Sequence, residues 1–149
     1  MEKLWSPWRS HYIESFKNPK NSGCIFCDAF HENVNDDSSL LIEKGELTFT
    51  VLNLYPYNNG HLLIVPNRHL SDFDLLTDDE YLDIMRKLKL AKSALNIISK
   101  PAGFNIGANL GKASGAGIDD HIHFHIVPRW MGDTNFMPVL GEVKVLSQD

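Results

Sequence analysis

The chain has 149 residues, which is enough for one domain with a hydrophobic core and too little for two ordinary ones. Its apolar fraction of 43% and charged fraction of 22% are typical of globular proteins and argue against a wholly disordered chain. The formal net charge of -5 argues against broad binding of nucleic acid, which requires a basic surface, but it permits a small anionic ligand.

The first half of the chain predicts one terminal helix followed by strands. Residues 4–16 carry four large aromatic side chains spaced by three or four, which indicates a helix face that the domain or a second subunit must cover. Residues 40–43 and 47–54 predict a β-hairpin joined by a glycine-containing turn. Residues 61–65 predict a short buried strand that ends at Pro66.

The second half predicts one long helix and two further strands. Residues 77–80 form a capping box, and Lys100-Pro101 stops the helix that follows it. The residues expected to form the apolar stripe of this helix are Leu82, Met85, Leu88, Ala91, Leu95 and Ile98. Residues 104–108 and 121–127 predict strands on either side of a glycine-rich loop. Strands on both sides of one helix predict an α+β domain with an antiparallel sheet.

Three of the seven histidines lie on the last predicted strand. His121, His123 and His125 alternate with apolar residues, so their imidazoles should line one face while the apolar side chains fill the core. Burying three imidazoles without partners would be costly, which argues against a role in packing alone. Two functional interpretations remain open beside a simple surface strand: a metal site of three histidines, and a nucleophilic histidine with helper residues.

The loop before this strand, residues 109–117, is rich in glycine. Such a loop lets the backbone approach a ligand and direct N–H groups at phosphate oxygens. It is not a P-loop, because Ile106 stands where the first glycine of that motif would be and Ala113 replaces the Ser or Thr after Lys112. Beside a face of histidines, the loop is a candidate phosphate cradle.

Both cysteines lie in one C-x-x-C, at Cys24 and Cys27, so they cannot join distant parts of the fold. The motif has three interpretations: a redox pair, two buried free thiols, or half of a zinc site. The N-terminus lacks the apolar stretch of a signal peptide, and the longest apolar run, Leu62–Val65, is far too short for a membrane span. We therefore expect a soluble cytoplasmic protein with neither nucleic acid nor membrane as a partner.

The motifs resemble those of the histidine triad (HIT) superfamily. Residues 121–127, HIHFHIV, match its H-φ-H-φ-H-φ-φ pattern, and residues 58–66, NNGHLLIVP, look like its upstream segment. Residues 4–9 and 128–137 are similar to bacterial members related to diadenosine tetraphosphate phosphorylases. The resemblance implies a homodimeric α+β protein, with an antiparallel sheet of about five strands, one long helix and a short N-terminal helix.

The resemblance also assigns roles to individual residues. It implies that His123 is a nucleophile that attacks the α-phosphorus of a small nucleotide, with His125 and His61 as donors to the phosphate. Asn53 stands where the family usually has a polar residue for the ribose hydroxyls. The other expected nucleotide-binding residues are Asn109, Gly115, Ala116 and Gly117.

For the C-x-x-C, the family pattern supplies two further ligands. Together Cys24, Cys27, His69 and His121 would form a closed tetrahedral zinc site that orients His123 without taking part in the reaction. The rival is a catalytic metal held by the three triad histidines, which leaves both cysteines unexplained. No organic cofactor is expected.

The implied activity is cleavage of a phosphoanhydride through a nucleotidyl-histidine intermediate, with diadenosine tetraphosphate as the leading substrate. The alternatives are hydrolysis of a nucleoside phosphoramidate or adenylate, a non-catalytic nucleotide sensor, and a zinc-stabilised interaction module. Ile118 occupies the position where many HIT hydrolases have a glutamine, which favours phosphate over water as acceptor.

We expect one domain over residues 1–149, divided into an N-terminal helix and connector (1–23), a core (24–138) and a tail (139–149).

Overall fold

The computed structural model describes residues 23–54, 56–115 and 120–133. The predicted N-terminal helix, Ala116, Gly117, Ile118 and the tail from residue 139 lie outside these described residues. The division of the chain at residues 23 and 138 therefore stays a prediction.

The predicted α+β architecture is confirmed. The strands are β1 (Leu41–Lys44), β2 (Thr48–Leu52), β3 (Leu62–Pro66), β4 (Gly103–Ala108) and β5 (Phe124–Arg129). They form one antiparallel sheet in the order β1-β2-β3-β5-β4. The helices are α1 (Ile25–Phe30) and α2 (Asp78–Ile98). Neither helix of the described residues has the length and apolar content that crossing a membrane requires.

The long helix α2 begins at the predicted capping box. The Thr77 hydroxyl accepts from the Glu80 N–H at 3.2 Å, and the Glu80 carboxylate accepts from the Thr77 N–H at 2.8 Å. The predicted apolar stripe is partly wrong, because Leu82, Met85 and Ile98 are exposed. The buried positions of the helix are Glu80, Ile84, Leu88, Ala91 and Leu95. Glu80 can be buried at the start of this stripe because Arg68 neutralises its carboxylate. The side of the helix that faces the sheet is therefore adjacent to the side that hydropathy alone selects.

Both faces of the central strand β3 are covered. Leu62 and Ile64 pack in the core beneath α2, whereas Leu63 and Val65 pack in a second core on the opposite face. This second core includes Phe26 of α1, a short helix that the sequence analysis did not predict. Helix α1 therefore brings the C-x-x-C segment against the sheet.

Strand β5 begins three residues later than predicted. It starts at Phe124, so His121 and His123 precede it, and it includes Pro128. The β3–β5 register pairs Ile64 with Phe124, and its continuation places Ile122 opposite Pro66. Proline has no N–H to donate, so the ladder ends, and the Ile122 N–H bonds to the carbonyl of Leu70 at 2.7 Å instead.

Candidate functional site

The triad histidines lie on one side of the sheet, as their alternation predicts, and this is the side that α1 covers. Ile122 and Ile126 enter the core beneath α2. On the other side, Phe26 packs on two of the imidazoles, with its ring centroid 5.6 Å from that of His121 and 4.8 Å from that of His123. One of the two residues between the cysteines therefore contacts two members of the triad.

The structure brings together the four predicted metal ligands. The ligand atoms of Cys24, Cys27, His69 and His121 all lie within 4.8 Å of one another. The Cys24 Sγ lies 3.4 Å from Nδ1 of His121, and the Cys27 Sγ lies 3.3 Å from Nδ1 of His69 and 3.7 Å from Nδ1 of His121. The two cysteines are not joined by a disulfide.

The hydrogen bonds of His121 fix which ring nitrogen faces the sulfurs. Its Nε2 lies 2.9 Å from the carbonyl oxygen of Pro66, which can only accept, so Nε2 carries the proton. Nδ1 therefore presents its lone pair to the two sulfurs. A tetrahedral zinc ion places neighbouring S and N ligands about 3.3–3.8 Å apart. The observed separations match this range, so the four residues fit a zinc ion.

Burial and neighbouring charge determine the protonation of this cluster. Burial, followed by the hydrogen bond and charge of Cys24, raises the pKa of the Cys27 thiol to about 11. Burial lowers the pKa of His121, which keeps its imidazole neutral. A cation would thus meet the neutral imidazole of His121 and would displace the thiol proton of Cys27 on binding.

His123 is held in one tautomer by the backbone. Its Nδ1 lies 2.9 Å from the carbonyl oxygen of His121, so Nδ1–H donates and Nε2 keeps its lone pair. The residue is only 7% exposed, and burial lowers its pKa, which favours the neutral form. A neutral imidazole with a free Nε2 is chemically a nucleophile.

His61 and His125 form a directional chain of hydrogen bonds. The Tyr57 N–H donates to Nδ1 of His61 at 3.1 Å, which leaves the proton of the neutral ring on Nε2. That Nε2–H donates to Nδ1 of His125 at 2.9 Å. The proton of His125 is therefore on its own Nε2, a buried atom with no hydrogen-bond partner among the described residues.

The same two histidines are kept neutral by their surroundings. Burial, and then repulsion from neighbouring histidines, lowers the pKa of His61 to about 3 and that of His125 to about 4. The ring centroids of His123 and His125 are 4.9 Å apart. An unprotonated nitrogen and an unused N–H donor thus lie on neighbouring rings, an arrangement suited to nucleophilic attack on a phosphoanhydride.

The predicted nucleotide-binding residues lie at different distances from the histidines of the site. The Asn53 side-chain nitrogen lies 3.3 Å from Nδ1 of His61. Asn109 follows Ala108, which pairs with Phe124 beside His123. Gly115 donates its N–H to the carbonyl of Lys112 at 3.2 Å, so this group would have to exchange partners to bind phosphate. The roles of Ala116 and Gly117 stay predictions outside the described residues.

Sequence reasoning missed four contributors to the site. They are Phe26, which packs on two imidazoles, and the backbones of Pro66, Tyr57 and His121, which set the tautomers of His121, His61 and His123. The two apolar residues inside the C-x-x-C were a signal for Phe26. Backbone hydrogen bonds carry no signal in residue type, so the other three could be found only in the structure.

The chain is similar to known proteins over most of its length. A family model described as the HIT domain matches residues 34–131. The chain is 40% identical over 152 residues to an AP-4-A phosphorylase of Mycobacterium tuberculosis, which covers 99% of this chain and 78% of that protein. It is 28% identical over 106 residues to an adenosine 5'-monophosphoramidase of Schizosaccharomyces pombe, covering 71% and 74% of the two chains.

Among solved structures, a Zn-bound histidine triad family protein from Mycobacterium smegmatis superimposes with a TM-score of 0.62 at 27% identity. That match covers 74% of this chain and 78% of the other.

Proposed function

The chain belongs to the HIT family, whose named relatives are nucleotide-processing enzymes, and we propose that it transfers an adenylyl group from a dinucleoside polyphosphate to inorganic phosphate. One observation carries the proposal. The unprotonated Nε2 of His123 and the unused, buried Nε2–H of His125 lie on rings with centroids 4.9 Å apart.

In the first step, Nε2 of His123 attacks the α-phosphorus of diadenosine tetraphosphate. A nitrogen–phosphorus bond forms, the bond to the bridging oxygen breaks, and ATP leaves as an anion. His125 donates its Nε2–H to a phosphate oxygen as charge shifts toward the leaving group. The cationic ring of adenylylated His123 keeps its Nδ1–H on the carbonyl of His121.

In the second step, an oxygen of inorganic phosphate attacks the adenylyl phosphorus, which releases ADP and restores neutral His123. Ile118 supports phosphate as the acceptor, because its side chain cannot position a water molecule by hydrogen bonding. The 40% identity to a protein named AP-4-A phosphorylase supports the same choice.

The acceptor is tested by incubating the protein with diadenosine tetraphosphate in the presence and absence of inorganic phosphate. We expect phosphate-dependent formation of ADP and ATP. Formation of AMP and ATP at equal rates in both conditions would contradict phosphorolysis while leaving a hydrolase.

The nucleophile is tested by His123→Ala, with His31→Ala as the control because His31 is exposed and its ring contacts only Phe30 among the described rings. Loss of a covalent nucleophile should reduce kcat by about 10³-fold or more. Mass spectrometry of wild-type protein quenched in base, in which the nitrogen–phosphorus bond survives, should detect one adenylyl group on His123. An active His123→Ala variant would refute the covalent mechanism, and binding without turnover by the wild type would identify a sensor.

For the metal, we propose that Cys24, Cys27, His69 and His121 hold one zinc ion in a closed, structural site. Zinc would fix His121 and thereby the carbonyl that orients His123. The expected cytoplasmic location stays a prediction, and a reducing compartment would keep both thiols available.

Elemental analysis of two variants tests this assignment. We expect one zinc per chain in the wild type and in His123→Ala, and a loss of zinc in Cys24→Ser. Loss of metal in His123→Ala alone would favour the rival site, in which all three triad histidines bind a catalytic metal.

We also propose that the protein is a homodimer formed across β4. This strand pairs with β5 alone among the described strands, so its other backbone edge is open, and Ile106 is 50% exposed there. An open, uncharged edge favours pairing with a second copy. Light scattering should give the mass of two chains for the wild type and of one chain for Ile106→Lys. A monomeric wild type would refute this interface.

A further inference from the structure

Tyr57 is an aromatic residue of the site that neither the phosphate chemistry nor the metal cluster uses through its side chain. Its ring lies nearly parallel to that of His125, with an interplanar angle of 16° and a centroid distance of 6.0 Å. It also lies 4.8 Å from the ring of His61. Yet Tyr57 is 60% exposed, whereas His61 is 1% exposed. A large ring therefore stands at the solvent side of this pair, in which His61 is buried and His125 is half-buried.

The backbone beneath this ring is held firmly. The side chain of the next residue, Asn58, donates to the carbonyl of Pro128 at 3.1 Å and to the carboxylate of Asp133. Gly60 has a φ of +78°, and a Cβ there would lie 3.0 Å from the Leu95 side chain. The Tyr57 N–H is itself bonded to His61. The loop thus presents the ring from a fixed backbone, which reduces the entropy cost of binding to it.

We infer that Tyr57 is a specificity-determining residue, whose exposed ring stacks on the base of the leaving nucleotide. The inference rests on the proposed function. During transfer, the adenylyl half is bound covalently to His123, whereas the other half must depart to solvent. An exposed ring beside the phosphate donor His125 suits the departing half. Planar bases stack on aromatic side chains independently of base identity, so the ring selects leaving groups that carry any base.

Two substrates with the same adenylyl half distinguish stacking on the leaving base from a general effect of Tyr57 on activity. Diadenosine tetraphosphate has a base in its leaving group, whereas adenosine 5'-monophosphoramidate has none. The variants are Tyr57→Ala, which removes the ring, and Tyr57→Phe, which keeps it. Both retain the backbone N–H to His61. Leu75→Ala is the control, because Leu75 has a similar exposure of 63% and lies on a turn before α2.

The quantity measured is the ratio of kcat/KM for the dinucleotide to kcat/KM for the phosphoramidate. Loss of one base stack should lower this ratio about 5- to 100-fold in Tyr57→Ala, and Tyr57→Phe and Leu75→Ala should keep it. An unchanged ratio in Tyr57→Ala, whether both activities fall or neither does, would overturn the inference. Absence of turnover of both substrates by the wild type would instead overturn the proposed function on which it rests.

Discussion

The buried, neutral state of His61 predicts a specific loss of stability in mild acid. Burial and the neighbouring histidines lower its pKa to about 3 in the folded protein, whereas an unfolded histidine has a pKa of about 6.5. Unfolding therefore takes up a proton below pH 6.5, so the contribution of His61 to stability is complete above that pH and falls as the pH drops toward 3. At pH 5 the loss for this residue is about 2 kcal/mol.

The assay is urea unfolding of the wild type and of His61→Asn at pH 7 and pH 5. The variant should be less stable than the wild type at pH 7, because it loses the bond to His125. The loss of stability between the two pH values should be about 2 kcal/mol smaller in the variant. Release of metal in acid affects both proteins and cancels in this comparison. His31→Asn, at an exposed site, should behave as the wild type does. An equal pH dependence in wild type and His61→Asn would refute the reasoning.

Two further predictions concern the supports of the site. Gly60→Ala should lower the free energy of unfolding by about 2–4 kcal/mol, because of the positive φ and a 3.0 Å contact of the new Cβ with Leu95. Gly115→Ala is the control: its φ is +87° but the space around it is open, so the loss should be about 1 kcal/mol. Equal losses in thermal unfolding would contradict the packing argument. Glu80→Gln should lower the free energy of unfolding by about 1–3 kcal/mol at pH 7, because Glu80 accepts two hydrogen bonds of 2.7 Å from Arg68. Arg68 is itself half exposed, and screening by solvent limits the size of this loss. Those bonds lower the pKa of Glu80 to about 2, so the loss should shrink as the pH falls from 4.5 toward 2, and a pH-independent loss would refute it.

Elements whose signals are local were predicted well from the sequence. The capping box at Thr77 is confirmed because the bonds that form it join residues three apart. The predicted hairpin is confirmed as β1 and β2, since alternation and a glycine turn act over a few residues. Helix α1 was missed because six residues have little helical preference alone, and it is held by packing of Phe26 against the distant histidines.

The start of β5 illustrates a different limit. Alternation of polar and apolar residues continues unbroken from His121, and this pattern predicts a strand. Pairing, however, depends on what stands opposite, and the facing residue on β3 is Pro66, which has no N–H. The side-chain pattern therefore persists for three residues beyond the end of the hydrogen-bonded ladder. Periodicity identifies the buried face, and only the partner strand decides where pairing ends.

The same consideration explains why three histidines in one alternating pattern acquire different chemistry. Alternation makes their side chains share a face, but each ring meets a different hydrogen-bond acceptor or donor. His121 bonds to a β3 carbonyl and turns its lone pair toward the cysteines, while His123 bonds to the carbonyl of His121 and keeps Nε2 free. His125 accepts from His61 and retains an unused N–H. Three identical side chains thus become a ligand, a nucleophile and a donor through their neighbours, so substitution of a neighbour should alter the role of a histidine that is itself unchanged.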